Sequence, residues 1–534
     1  MPSINISERE IITPPSTDVT RNIVYIPGYA NYGPTNTPIL CESLKDFYST
    51  FGSIPYKFNN SVNLPATFAE NALTGASPLY NKGDYEKSFI EAATLLSNGL
   101  PVLYERVSTG GANASIDLST GSSKNKATAK YEGAYGNDIS ITITINNSNK
   151  ATIKIVLDPT VTIDNVPTVE GINRKEEEFT VVNETPIVIN SSLVDFSITA
   201  PLANLNSTKL LNGTSVFNVD KFFDKLESED FYNRFADRGD YQIKLLTSGA
   251  YPSFEYNSSS IVKRMITAAA TRGDCIALID HTNNPNRKLD SDDSSSVYSS
   301  INTYVDGNPI SITRNLIDGS TLTEDGYSYG AMFTPYAVFG TNFSNQIMPA
   351  SFGYLLALAK SIQSNPNYLA IAGVTRGSLK NNIVGLTQNI TNVICNEYQN
   401  QNGVSINSIT NIKPYGYTIW SNRTLRKNDG YLNALSLLNL RMLTTDIKKV
   451  TYSACQKYTF ENNSDILWLN FKSSIDPTLA KMLTNNALSG YQILKLTSDR
   501  KGVLGAKINL IPIEPVEDWY VELELTDGTT SGIQ

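Results

Sequence analysis

His281 is the only histidine in the chain. A Ser–His–acid triad would have to be built on it, and a two-histidine metal site is excluded. It directly follows Asp280, and the pair follows the apolar run Cys275-Ile-Ala-Leu-Ile279. That run reads as a buried strand, and α/β sheets place active sites at the C-terminal ends of such strands. No nucleophile motif accompanies the pair, so a polar loop after the strand is the plainer reading. Asp290, Asp292 and Asp293 sit in a Ser-rich stretch. They could offer carboxylates to Ca2+, but the glycine and terminal glutamate of an EF-hand are missing. Glu176, Glu177 and Glu178 read as a solvated face. Gly133 and Gly136 lie in Ala129-Lys-Tyr-Glu-Gly-Ala-Tyr-Gly-Asn137. A dinucleotide fingerprint follows a strand and opens a helix, whereas these glycines precede a strand, so they read as turn residues. The patterns GxxxxGK[ST], HExxH and GxSxG are absent. No catalytic residue, cofactor or metal ligand is assigned, and the chain is not expected to be an enzyme.

Cys41, Cys275, Cys395 and Cys455 are widely spaced, so neither a zinc motif nor a CxxC pair forms. An even count permits disulfides; buried free thiols fit better and suit a reducing cytoplasm. The net charge of −8 argues against broad nucleic-acid affinity. Charged residues make up 18% of the chain, below the usual ~25%. Asn, Ser, Thr and Tyr take their place, which suits a polar assembly surface. No apolar stretch follows a basic start, so a secretory leader is not expected. The most apolar segment, Phe352 to Ala359, is too short to cross a membrane.

At 534 residues the chain has room for roughly two to four domains. Residues 1–21 read as an arm, with Ile4 and Ile6 alternating with polar residues before Pro14-Pro15. Residues 22–110 read as the first part of a middle α/β domain. It has a strand at Ile23 to Ile26, a helix capped at Ser43, a helix from Glu86 to Ser97, and a strand at Pro101 to Val107. Residues 111–202 read as an inserted all-β domain, because Ile139, Ile141, Ile143 and Ile145 alternate with Ser140, Thr142 and Thr144. Residues 203–404 return to the middle domain. There Asp220 to Asp237 is expected to be helical, and Tyr241 to Leu246, Ser258 to Thr271 and Cys275 to Ile279 form a βαβ unit in a parallel or mixed sheet. Residues 405–515 form a C-terminal α/β domain. Its long helix is expected to carry Tyr431, Leu435, Leu438 and Met442 on one face. Its second helix is expected to start at Asp476-Pro477 and stop at Gly490. Residues 516–534 read as a second arm, with Trp519, Val521, Leu523 and Leu525 alternating in a strand. The fold class is α/β (α+β) and multidomain: mixed-sheet middle and C-terminal domains, an inserted all-β domain and extended terminal arms.

The order of the C-terminal segments carries a resemblance. They are Tyr415-Gly-Tyr-Thr-Ile-Trp420, Asn422-Arg-Thr-Leu425, Tyr431-Leu-Asn-Ala-Leu435, Tyr458-Thr-Phe-Glu461, Ile466-Leu-Trp468 and Ala487-Leu-Ser-Gly-Tyr491. Together they resemble the C-terminal domain of contractile tail sheath proteins. Gly33-Pro34, Pro38-Ile-Leu40 and Phe51-Gly52 resemble the start of that family, and Ala129 to Asn137 resembles a recurring motif in it. Ala331 to Tyr336 and Met348 to Gly353 resemble a further segment, although Pro349-Ala-Ser-Phe-Gly353 departs from the Pro-Pro-Ser-Gly usual at its turn.

The resemblance implies a structural subunit of a contractile phage tail. Copies would polymerise helically around an inner tail tube and contract to drive it through the host envelope. The implied partners are further copies, the tube protein, and baseplate and tail terminator proteins, with no direct nucleic-acid or membrane contact. The implied location is the tail of a virion assembled in the host cytoplasm. A tailocin or secretion-type injector is the alternative within that class, and a β-rich glycan-binding hydrolase or adhesin is the alternative outside it. By the same resemblance, Ile4, Ile6, Trp519, Val521, Leu523 and Leu525 are expected to form inter-subunit strand arms, with Pro14, Pro15, Pro512 and Pro515 as hinges.

Overall fold

A computed structural model describes residues 20–62, 79–118, 124–158, 162–163, 166–167, 174–239, 241–252, 260–281, 294–364, 368–399, 402–430, 433–497 and 502–516. The body is built on a mixed eight-stranded sheet. Its strands are β1 (Val24–Gly28), β2 (Ile39–Cys41), β3 (Val102–Arg106), β4 (Leu245–Leu246), β5 (Ile276–Asp280), β6 (Gly330–Thr334), β7 (Asn407–Ile412) and β8 (Gly416–Ile419). They lie side by side in the order β2-β3-β1-β4-β5-β6-β7-β8. The inner strands from β3 to β7 are parallel, and the outermost strand at each edge runs antiparallel to its neighbour. Strands β1, β3, β5 and β6 are buried throughout, as a sheet covered on both faces requires.

Helices α1 (Leu44–Phe51), α2 (Lys87–Ser97), α3 (Ser260–Arg272) and α4 (Ala350–Ile362) pack on this sheet. The cap expected at Ser43 forms, and Glu86 caps α2. Ser43 Oγ accepts from the Asp46 N–H at 3.1 Å, and the Glu86 carboxylate accepts from the Ser88 and Phe89 N–H groups. Two apolar cores result, one on each face. Tyr25, Phe222, Tyr251 and Met265 belong to one, and Val24, Phe89, Leu278 and Leu355 to the other. The apolar run Phe352 to Ala359 lies inside α4, which is buried in the second core. Among the described residues no helix is long and apolar enough to cross a membrane.

The β-rich segment forms a four-stranded antiparallel sheet and a three-stranded one. Ile139, Ile141 and Ile143 point inward and Ser140, Thr142 and Thr144 do not, as their alternation predicts. A fourth strand, Leu205–Lys209, pairs with Ile139–Ile145, so the sheet runs past residue 202. The chain enters and leaves this segment side by side, with backbone bridges Ala112↔Thr214 and Ser115↔Leu211. The Asn137 side chain ties the two passes, donating to the Gly213 carbonyl at 2.9 Å and accepting from its N–H at 2.8 Å. Gly133 has φ 142°, and a Cβ there would stand 2.6 Å from the Asn31 carbonyl oxygen. The turn expected of these glycines is therefore also where the β-rich segment rests on the body. Buried Arg106 clamps the joint, donating to the Gly33 carbonyl at 2.7 Å and the Glu132 carbonyl at 2.8 Å.

The C-terminal part consists of α5 (Leu438–Tyr458), α6 (Asp465–Thr484) and a hairpin of β9 (Leu488–Leu496) and β10 (Gly505–Pro512). Two expectations are corrected here. Leu435 lies in a 3-10 turn, Ala434–Ser436, ahead of α5, because Asn433 caps that turn through the Leu435 N–H at 2.9 Å; Tyr431 is outside the described residues. Helix α6 starts at Asp465, not at Asp476-Pro477, because Ser464 caps it through the Leu467 N–H at 3.2 Å. Pro477 sits inside α6, and Gly490 lies in β9 rather than at the helix end.

Candidate functional site

Two places in the fold could carry function: the strand ends of the central sheet, and the C-terminal hairpin. Strand β1 has β3 on one side and β4 on the other, so the connection out of β1 runs to one side of the sheet and that out of β4 to the other. Open α/β sheets bind ligands in the crevice that this reversal creates. Here the first turn of α2 fills it. A Cβ on Gly28 would meet Ser88 Cβ at 2.6 Å. The Tyr251 hydroxyl donates to Glu86 at 2.6 Å, and the Tyr104 hydroxyl donates to the Tyr29 carbonyl at 3.0 Å. Even a methyl group on Gly28 would not fit against α2.

Asp280 is the last residue of β5, and His281 follows with its N–H donating to the Phe333 carbonyl at 3.1 Å. Both are buried. Asp280 caps α4 rather than facing solvent, accepting from Ser351 N–H at 2.9 Å and Ser351 Oγ at 2.5 Å. Burial pushes its pKa up to about 7, against those two hydrogen bonds. The strand-end pair therefore has structural partners and no access. Among the described residues no group of three His, Cys, Asp or Glu side chains could hold a metal ion; Asp290, Asp292 and Asp293 lie outside those residues.

The glutamate run is only partly a solvated face. Glu176 pairs with Lys154 and Arg174, while Glu177 is half-buried and accepts from Ser191 Oγ at 2.5 Å. The four cysteines are free thiols. Three are buried as expected, and Cys455 is exposed because it lies on the solvent side of α5.

The C-terminal hairpin is of a different kind. Helix α5 is rooted in the body by its first half. Leu438 and Met442 belong to the sheet core, and Leu440, Leu443 and Ile447 belong to a separate core with Phe471, Ile475 and Leu479 of α6. Arg441 Nε donates to the Ser328 carbonyl at 3.1 Å, and Lys449 Nζ to the Ile243 carbonyl at 2.7 Å. Lys244, just ahead of β4, forms a fully buried ion pair with Asp446.

The other end of the C-terminal unit is the hairpin, registered from Leu488↔Pro512 to Leu496↔Gly505. Leu488 and Ile493 face the core. Among the described residues no third strand pairs with either edge. A two-stranded ribbon is marginal alone, and its open edges are templates for further strands. Leu494, Ile511, Ile513 and Val516 are exposed on or beside it. A second hairpin, Ser311–Asn315 with Thr321–Asp325, reaches over from the body. Its tip residue Ile317 sits so close to Gly505 that a Cβ there would be 2.2 Å from Ile317 Cδ1.

Of the residues expected to form arms and hinges, Ile4, Ile6, Pro14, Pro15, Trp519, Val521, Leu523 and Leu525 lie outside the described residues. Pro512 ends β10 opposite Leu488, and Ile513 N–H still donates to the Ala487 carbonyl at 3.0 Å. Pro515 comes after that last bond. Nothing in the sequence pattern had pointed to Lys244 with Asp446, or to Ile317 with Gly505.

No protein-family model matches the chain, and no curated protein does. Solved structures do. A sheath tail protein from Listeria innocua is 12% identical with a TM-score of 0.53, the match covering 92% of this chain and 95% of that one. The fold is the tail-sheath fold. A sheath tail protein from Desulfitobacterium hafniense is 14% identical over 96% of this chain and 100% of that one, with a TM-score of 0.46. The PVC sheath complex of an extracellular contractile injection system, in its contracted state, is 13% identical over 99% of this chain and 98% of that one, with a TM-score of 0.48.

Proposed function

We propose that the chain is the sheath subunit of a contractile phage tail, with a tailocin or secretion-type injector as the variant built from the same parts. Copies polymerise helically around an inner tube, engage a baseplate at one end and a terminator at the other, and shorten to drive the tube through an envelope. The work comes from conformational energy stored at assembly, a bistable packing of subunits, and not from a catalysed reaction. The particle is assembled in the host cytoplasm and ends as part of a virion tail.

The observation that carries this reading is the β9–β10 hairpin, a ribbon to which no third strand pairs among the described residues, held at the end of a helix rooted in the body. Such a ribbon suits strand addition from a neighbouring copy. The candidate strands are the arms, Ile4 and Ile6 at one end and Trp519, Val521, Leu523 and Leu525 at the other. Pro14, Pro15 and Pro515 would let the arms swing, with Pro512 closing the ribbon. Each added backbone bond contributes about 1 kcal/mol net, so several per arm are needed.

Sedimentation and electron microscopy test the proposal. The full chain should form tubes, and deletion of residues 1–18 or 516–534 should give folded monomers that do not. Val521→Pro should act like the second deletion by removing a ladder donor. Normal tubes from both truncations would refute the arms, and monodisperse full-length protein under all assembly conditions would refute the sheath reading.

A further inference from the structure

Helix α2 is buried almost all round, wedged between the sheet, α1 and α4. Glu91 sits in its middle with no solvent exposure. Neither of its carboxylate oxygens has a hydrogen-bond partner. An isolated carboxylate in such a place is strongly disfavoured, and the group keeps a proton instead.

The groups around it do nothing to offset this. On α2 itself Glu86 is acidic, buried and committed to the Ser88 and Phe89 amides and Tyr251. Lys87 is turned the other way, donating to the Leu79 carbonyl at 3.0 Å and lying over the Tyr80 ring. On β5 the nearby group is Asp280, another acid, followed by His281. On β3 it is the Tyr104 hydroxyl. On β1 the ionisable side chain is Tyr25, engaged with Glu105 in the opposite core. Helix α4 brings Ser351 to Asp280, its Tyr354 hydroxyl donates to Met442 Sδ, and its Lys360 is bound to Asn382 at the far end. Helix α1 carries Lys45 and Asp46 on its exposed side. The groups whose fields reach Glu91 are Asp280 and Glu86, both acids that add negative charge when ionised, and burial pushes Glu86 up to about 7 as well.

We propose that Glu91 and Asp280 form a proton-holding lock in the body of the subunit: at neutral pH the two buried carboxyls retain at least one proton between them, and α2 stays seated on the sheet while they do. Burial first, and then the Asp280 and Glu86 charges, raise the proton affinity of Glu91 well above the ordinary carboxylate range. Asp280 is pushed up to about 7 by burial. The sign follows. A raised folded-state affinity gives stability that is complete below the ordinary carboxylate pKa and is lost as pH rises through the folded value. For each proton retained, the folding equilibrium constant falls about tenfold per pH unit in that window. The body should therefore loosen through neutral pH, starting at α2.

The test is chemical unfolding of the full chain across about pH 5 to 8.5, followed by an α2 probe such as hydrogen exchange. Wild type should lose stability as pH rises. Glu91→Gln, neutral at every pH, should have a slope flatter by about one proton and should exceed wild type at the alkaline end. Parallel slopes would overturn the lock. If Glu91→Gln does not fold, infrared spectroscopy of wild type decides. A protonated-carboxyl band at pH 7.5 that persists in Glu86→Gln and shifts in Asp280→Asn supports the lock. Absence of the band overturns it.

Discussion

The ion pair between Lys244 and Asp446 is where the C-terminal unit is bolted to the sheet, and its loss should be costly. Lys244 has 0% side-chain exposure and Asp446 has 4%. Lys449, on the next turn of α5, is buried as well, and its pKa falls to about 8 from burial, with Lys244 lowering it and Asp446 raising it. In Asp446→Asn, the Lys244 ammonium would stay buried without its carboxylate, and Lys449 would keep Asp274 but lose Asp446. Breaking one partner of a buried pair costs about 3–5 kcal/mol. A chain of several cores does not unfold as one unit, so the assay should be local. Hydrogen exchange at β4 and the first half of α5 should accelerate about a hundredfold or more, at about 1.4 kcal/mol per factor of ten. The β-rich segment should be unchanged. The double substitution Lys244→Met with Asp446→Leu should recover most of the protection, because it removes the buried charge with the pair. If Asp446→Asn exchanges within about threefold of wild type, roughly 0.6 kcal/mol, the pair is not what holds α5 to the sheet.

The contact between Ile317 and Gly505 should be equally testable. Gly505→Val should cost about 1–3 kcal/mol by overpacking, read as lower protection of β9 and β10, and Ile317→Ala in the same chain should relieve it. Arg106→Met removes two buried backbone contacts at the neck, each worth about 1.5–3 kcal/mol from a charged donor; limited proteolysis near residues 110–114 and 211–216 should speed up while the central sheet stays intact. Of the four thiols, Cys455 is exposed and the other three are buried, with burial pushing Cys41 and Cys275 up to about 12. One equivalent of a thiol reagent should therefore react quickly with native protein, and Cys455→Ser should abolish that phase.

What the sequence made legible was whatever repeats a period. Ile139 to Ile145 alternates, and it forms the strand expected; Cys275 to Ile279 is uniformly apolar, and it is the buried strand β5. Leu205–Lys209 carries no such pattern, because it is an edge strand with little of its surface inside. Pro477 looked like a helix start because proline favours the first turn, yet Ser464 and Asp465 already supply a cap and an acidic first turn. Glu91 was hidden for another reason. An amphipathic reading puts a glutamate in a short helix on the wet face, but α2 has almost no wet face, since neighbours cover it from several sides. The strand-end pair Asp280-His281 was placed correctly in the chain, but sequence does not reveal that α2 fills the crevice beside it. That no described strand pairs with the edges of the β9–β10 hairpin depends on which strand ends beside which, and adjacency of that sort is a property of the folded chain.

The neck of the β-rich segment has a further consequence. Its two backbone passes are bridged, Asn137 ties them, and Arg106 and Gly133 fix them against the loop after β1. A joint clamped at that many points transmits rotation. The β-rich segment should then turn with its subunit like a pointer fixed to a shaft. If copies assemble into a tube as proposed, the bearing of that pointer in low-resolution images would record how far each subunit has rotated, even where the body itself is lost in its neighbours' density.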